Sequence, residues 1–399
     1  MQSVNPEILV WARKTAGMNL EEAVLKLGLT DARGLSAATR LEMLESGVDA
    51  PTTAMLLKMA KQYRRSLLTF YLPTPPRKGD RGEDFRMLPL QDRTLAGEAL
   101  LDALIRDVRA RQSLVRSVLE DDEDIKPLGF VGSIAPSEGI AVALKKIQQV
   151  MGISLADFRA KKTHEEAFAL LRSGAEAAGI FVLLIGNLGS HHTTFDVKAF
   201  RGFAVADQIA PFVVINDQDA KSAWSFTLLH EVVHLLIGAT GISGTSTEAS
   251  VERFCNEVAS EFLLPSEELR DFARDQEIDL SQIEELISAY SSERNLSRSL
   301  VAYKFYRVGL IAESVWRTAS ANFREQWIKE RAIKRDRASD SNGGPNYYVV
   351  RRHRLGTALL DMVRRTMSDG ALTPTKAGKV LGVKPRNVEP LLSDHRHAA

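Results

Sequence analysis

The segment FTLLHEVVHLLIG, Phe226 to Gly238, is the tightest constraint the chain places on its fold. Apart from Thr227, His230, Glu231 and His234, every side chain from Phe226 to Ile237 is apolar. A helix of that kind belongs in a core, where three ionisable groups are costly unless they share a partner. Residues four apart lie on one helix face, so His230 and His234 can aim both imidazoles at one position. Glu231 is turned about 100° from His230, close enough to reach a water held at that position. A pair of satisfied core histidines is the bland alternative. A metal ion is the sharper one, because it supplies the partner that burial demands.

The remaining composition narrows the setting. The 399 residues exceed one ordinary core, and two to four domains are expected. Hydrophobic residues make up 44% and charged ones 26%, values of a globular protein, not a disordered or fibrous one. A formal net charge of +1 means that any nucleic-acid site must be a local patch. Cys255 is the single cysteine, which excludes an intramolecular disulfide and an all-cysteine metal site and fits a reducing compartment. The N-terminal MQSVNPEILVWARKTAG carries charge where a signal peptide needs an apolar run. Apolar stretches such as GIFVLLIG are far shorter than a membrane span. The expectation is a cytoplasmic protein with no membrane partner.

Four regions follow from patterning. Residues 1–75 hold short helical patterns. NLEEAVLKLG pairs Asn19 with Glu22 as a capping box and stops at Gly28, and PTTAMLLKMAKQY carries Pro51 near its start. Residues 76–150 join a Pro- and Gly-rich linker to a charge-laced helix, GEALLDALIRDVRARQSLVRSVLEDDED. Residues 151–295 contain three short runs that read as strands, GIFVLLIG, FRGFAVAD and PFVVIND. The FTLLHEVVHLLIG helix follows, then a second helix, STEASVERFCNEVASEFLLP. Residues 296–399 return to helix. From 351 on, ten Lys or Arg stand against four Asp or Glu, and LTPTKAGKVLGVKPRNVEPLL resembles a helix-turn-helix pattern. The fold class expected is α+β and mostly helical: a helical N-terminal module, a small sheet flanked by helices, and a helical C-terminal region.

His-Glu-x-x-His is the arrangement of zinc peptidases. A metal ion held there lowers the pKa of water to near 7 and polarises the scissile carbonyl, while the glutamate serves as general base and then acid. Such a site needs a third protein ligand and an open position. No later histidine is near, since His353, His395 and His397 lie over a hundred residues on. Glu252, Glu257 and Glu261 on the next helix are candidates, and their spacing of five and nine does not choose among them. Two histidines and a carboxylate suit zinc or manganese.

The stretch FRGFAVADQIAPFVVINDQDAKSAWSFTLLHEVVHLLIG, followed by VERFCNEVASEFLLP, resembles the ImmA/IrrE family of zinc metallo-endopeptidases. Phe200, Arg201, Gly202 and Phe203 match the family's first strand, and Asn216 matches its strand end. Phe226, Thr227 and Leu228 match the start of the metal helix. Glu252, Asn256, Leu263, Leu264 and Pro265 match the second helix, with Cys255 where the family usually has alanine. The resemblance implies a small-sheet, zincin-like peptidase fold and zinc held by His230, His234 and Glu252, with Glu257 as the fallback third ligand and Glu231 as the catalytic base. It also implies a specific protein substrate, a partner transcriptional repressor in a stress-response, mobile-element or toxin-antitoxin-like circuit. LEMLESGVDAPTTAMLLKMAKQYRRSLLTFYLPTPP is similar to the tail of the Xre/Cro-type helix-turn-helix that often precedes such a peptidase, and DFRMLP and GGPNYY resemble segments of members built this way.

Several features stay open at this level. The N-terminal module reads DNA, or is a degenerate module kept for protein contacts or oligomer formation. Nine Lys or Arg against seven Asp or Glu in residues 1–75 is a weak footprint for phosphates, and the basic C-terminal region is the better candidate. One of His191 and His192, in a loop, is a possible oxyanion stabiliser. PFVVIND can be an edge strand that aligns a substrate peptide or a core strand that needs no such role. Thr227 reads as a helix-start residue and Cys255 as a small buried one. The alternative function is a DNA-binding transcriptional regulator or antitoxin-like protein with a sensory or structural metal site. An intact Glu231 weighs against it, since a structural site has no need of a base.

Overall fold

The computed structural model describes residues 4–32, 34–76, 95–122, 124–189, 193–197, 200–238, 245–275, 279–339 and 346–393. The chain divides into two compact units. The first includes residues 4–76, with helices α1 (Pro6–Thr15), α2 (Leu20–Leu27), α3 (Ala37–Glu45) and α4 (Thr53–Gln62) and a 3-10 turn at Leu67–Tyr71. The expected capping box is present: Asn19 accepts from the Glu22 amide and Glu22 accepts from the Asn19 amide. Pro51 precedes the cap Thr52 and so lies outside α4. Ile8, Leu9, Leu27, Leu41, Leu56, Met59 and Phe70 form this unit's core. Arg13 clamps α3 by donating to both carboxylate oxygens of Glu45, at 2.7 and 2.8 Å.

A long helix, α5 (Leu95–Glu120), carries the charge-laced pattern expected of it. The second unit follows with α6 (Ile140–Met151), α7 (Leu155–Arg159), α8 (His164–Ala177), β1 (Phe181–Leu184), β2 (Gly202–Val205), β3 (Phe212–Ile215), α9 (Lys221–Ile237), α10 (Thr245–Leu263), α11 (Ser266–Asp275), α12 (Ile283–Glu293), α13 (Arg298–Arg307) and α14 (Glu313–Ser339). Its last helices are α15 (Tyr347–Leu355), α16 (Thr357–Ser368), α17 (Pro374–Leu381) and α18 (Val388–Leu392). The fold is therefore α+β, mostly helical with a small three-stranded sheet. No helix among the described residues is long and apolar enough to cross a membrane.

The strand order is β1-β3-β2, with β3 parallel to β1 and antiparallel to β2. PFVVIND thus takes the centre of the sheet, and its edge-strand reading does not hold. Every residue of β3 is buried, as a strand covered on both faces requires. FRGFAVAD supplies one outer strand, β2, in register from Gly202 opposite Ile215 to Val205 opposite Phe212, and β1 is the other. Asn216 ties β2 and β3 together: its Nδ2 donates to the Phe200 carbonyl, its amide to the Arg201 carbonyl, and its Oδ1 accepts from the Gln218 amide.

The C-terminal helices join this core through a buried ion pair. Arg172 on α8 donates to Glu176 and to the carbonyls of Val182, His353 and Arg354. Glu176 accepts from the Thr357 amide and hydroxyl at the start of α16. Both partners make further hydrogen bonds beyond the pair, which offsets the cost of burying two charges.

Candidate metal centre

Helix α9 lies between α8, α10 and the sheet, and its side chains from Thr227 to Leu236 are buried. It begins at Lys221, five residues before Phe226, so Thr227 is a mid-helix residue and not a helix start. It ends at Gly238, where the amides of Gly132 and Ile134 take up the carbonyls of Leu235 and Leu236. His230 and His234 stand one turn apart, with their Nε2 atoms 3.1 Å from each other. Helix α10 packs along α9 and brings Glu252 to the pair. One Glu252 oxygen is 3.4 Å from His230 Nε2 and the other 3.3 Å from His234 Nε2. The histidine side chains are 0% and 2% exposed and that of Glu252 is 26% exposed, so the carboxylate forms the solvent side of the group.

The other two carboxylates of α10 bond elsewhere. Glu257 accepts from Arg307 at 3.1 Å. Glu261 accepts from the Ser266 amide and hydroxyl and, at 2.5 Å, from Lys304. Burial pushes the Glu261 carboxyl upward, but the bonds from Lys304 and Ser266 outweigh it and hold the group below its ordinary value. Its stabilising contribution is therefore complete at neutral pH and fades as the pH falls through the carboxylate range. Lys304 is 4% exposed and locks α13 to the turn between α10 and α11. Lys304→Ala is expected to destabilise the protein by about 1–3 kcal/mol, since Glu261 then keeps only its serine bonds. Chemical denaturation of the variant beside wild type checks this, and an unchanged midpoint would contradict it.

The donor set fits a metal ion. Tetrahedral zinc with nitrogen and oxygen ligands at about 2.0–2.2 Å sets neighbouring donors roughly 3.3–3.6 Å apart. The two imidazole nitrogens are 3.1 Å apart, each has one Glu252 oxygen at 3.3 or 3.4 Å, and one ligand atom from each of the three residues lies within 4.8 Å of the others. Among the described residues, His230, His234 and Glu252 are the one group of three or more metal-binding side chains that converges in this way.

Glu231, next to His230 in the chain, is fully buried, and its carboxylate lies against β2. A Cβ added at Gly202 would lie 2.9 Å from Glu231 Oε1, 2.5 Å from Thr227 Cγ2 and 3.0 Å from the Val214 carbonyl. Helix and strand therefore touch where Gly202 has no side chain, and the Glu231 carboxylate occupies that space. Gly202→Ala is expected to displace Glu231, cutting at least tenfold any hydrolysis that this carboxylate supports, and to cost about 1–3 kcal/mol of stability by overpacking. Metal content should stay at the wild-type level. Adding Thr227→Ser removes the closest contact and should recover stability without recovering the rate. Recovery of both would show that Glu231 had not been displaced.

His191 and His192 lie outside the described residues. Cys255 is fully buried in the core, as a small apolar residue would be. Gly202 was not singled out by patterning, although a lone glycine inside a strand-like run is a sign of close backbone approach. Lys304 and Arg307 carry no local signal, because their partners are 43 and 50 residues away.

The family model Peptidase_M78, described as the IrrE N-terminal-like domain, matches residues 175–305, from the end of α8 through most of α13. The match supports a metallopeptidase of the IrrE/ImmA family. No curated protein and no solved structure matches the chain.

Proposed function

We propose that the protein is a zinc-dependent endopeptidase of the ImmA/IrrE type that cuts a specific protein, a transcriptional repressor, in the cytoplasm. The observation that carries this reading is the convergence of His230, His234 and Glu252 on one point of a buried helix pair, with Glu231 next in sequence and fully buried. His230, His234 and Glu252 would hold the zinc. When bound, the ion would polarise the scissile carbonyl and lower the pKa of the attacking water. Glu231 takes the proton from the attacking water at its carboxylate and returns it to the leaving amine. Gly202 leaves room for that carboxylate, and the apolar walls of α9 exclude bulk water, which strengthens each electrostatic contact.

The second reading, a regulator with a structural or sensory metal, is favoured by the basic helices at the C-terminus but gives Glu231 no task. The two are separated by mapping new protein N-termini in lysate treated with zinc-loaded wild type or Glu231→Gln. The peptidase reading expects a small set of cuts made by wild type alone. Identical N-terminal maps from the two proteins would sink it.

A further inference from the structure

Helix α17 and the segment that contains α18 are joined by a turn of helix-turn-helix length and pack beside α16. α17 is followed by three residues, Gly382–Lys384, and then by a second helical segment that runs from the 3-10 turn Pro385–Asn387 into α18. Three- to four-residue turns of this kind join the two helices of DNA-binding motifs. Both segments pack on α16 or on each other through Leu359, Val363, Ala377, Leu381, Val388 and Leu391, all buried. The crossing is tight at Gly378, where an added Cβ would lie 2.9 Å from the Val383 carbonyl and 3.3 Å from the Pro385 nitrogen. A residue without a side chain at that point is what lets the second segment close on the first.

The outward surface is basic. Between Pro374 and Leu392 there are four cations, Lys376, Lys379, Lys384 and Arg386, against the single acid Glu389. All four are exposed, and none makes an ion pair among the described residues. Arg365 on α16 is likewise exposed. The neighbouring Arg351, Arg352 and Arg364 are different, since they donate to the carbonyls of Leu381, Leu391 and Leu392 and hold the motif together. Asn387 closes the 3-10 turn of the second segment, with a side chain suited to an adenine edge.

The α2–α3 pair of the N-terminal module differs in its connection and in its cations. Nine residues, Gly28–Ser36, separate α2 from α3. The one cation on α3, Arg40, donates to the Thr30 carbonyl, and Glu42 is exposed on the same helix.

We propose that α16–α18 bind duplex DNA, with Lys376, Lys379, Lys384 and Arg386 on the phosphate backbone and Pro385–Leu392 presented to the major groove. The proposal is independent of the peptidase reading. The two together would place the peptidase on the DNA where a bound repressor is found.

Fluorescence anisotropy of the full chain on a labelled random-sequence duplex tests it. Binding is expected in the micromolar range or tighter at low salt and should weaken as salt rises. Reversing the four cations to glutamate should weaken binding at least tenfold and flatten the logarithmic salt slope by about 3 to 4. The same four changed to glutamine, which spares helix propensity, should move both readings in the same direction, and this set decides if charge reversal disturbs folding. Lys26→Glu, Lys58→Glu and Lys61→Glu together, on α2 and α4, should leave binding unchanged. Unaltered binding in both C-terminal variants, loss in the N-terminal variant instead, no duplex binding at about 100-fold above the micromolar range, or tighter binding to single-stranded RNA or an acidic polypeptide would each overturn it.

Discussion

Glu231→Gln is expected to keep the wild-type metal content and to lose hydrolysis by about 10²–10⁴-fold, the usual contribution of a positioned general base. That loss corresponds to roughly 3–5 kcal/mol of transition-state stabilisation. The variant isolates the proposed proton-transfer role for two reasons. Glutamine has the volume of glutamate, so the contact between residue 231 and Gly202 is preserved, and so is the packing of Thr227 on the strand. Glu231 also stands outside the group of His230, His234 and Glu252, so neutralising it removes no donor. The measurement pairs elemental analysis with the cleavage rate on a substrate identified from the new N-termini. Wild-type cleavage by a metal-loaded variant would mean that another group moves the proton. Loss of metal together with activity would mean that Glu231 helps to hold the ion.

Much of this arrangement could be read from the chain, and the rest could not for physical reasons. The apolar helix with its three ionisable groups, the three strand-like runs and the capping box of α2 are local patterns, and all are present. The start of α9 was misplaced because Ala220 offers no side-chain cap to mark it. The position of β3 in the sheet depends on which strands flank it, which alternation within one strand does not encode. The choice among Glu252, Glu257 and Glu261 is a tertiary matter as well. Glu257 and Glu261 turn away because Arg307 and Lys304, on a helix far along the chain, bond them, and Glu252 is left facing the histidines. The exposed basic face on α17 and after it was visible as composition. Only the fold separates those cations from the arginines that brace the motif.

His234→Ala and Glu252→Ala are each expected to abolish metal retention, from about one zinc per chain to none after dialysis. Removing a group that only orients a ligand typically weakens a metal site 10–100-fold, and removing a ligand should exceed that. The two variants differ in what else they disturb. His234 is buried inside α9, so its truncation also leaves a void in the core. Glu252 is partly exposed, and its truncation removes charge with little packing. Thermal unfolding separates these effects. Zinc at about a hundredfold above its dissociation constant should add about 2.7 kcal/mol to the stability of wild type. It should add nothing to either variant, and without metal His234→Ala should be the less stable of the two. Glu257→Ala is the control. It loses a half-exposed pair with Arg307 worth at most about 1 kcal/mol and should keep its zinc. If Glu252→Ala held one zinc per chain as firmly as wild type, the carboxylate would not be a ligand. If Glu257→Ala lost its zinc instead, the third donor would be Glu257, and α10 would have to turn on α9 to bring it there.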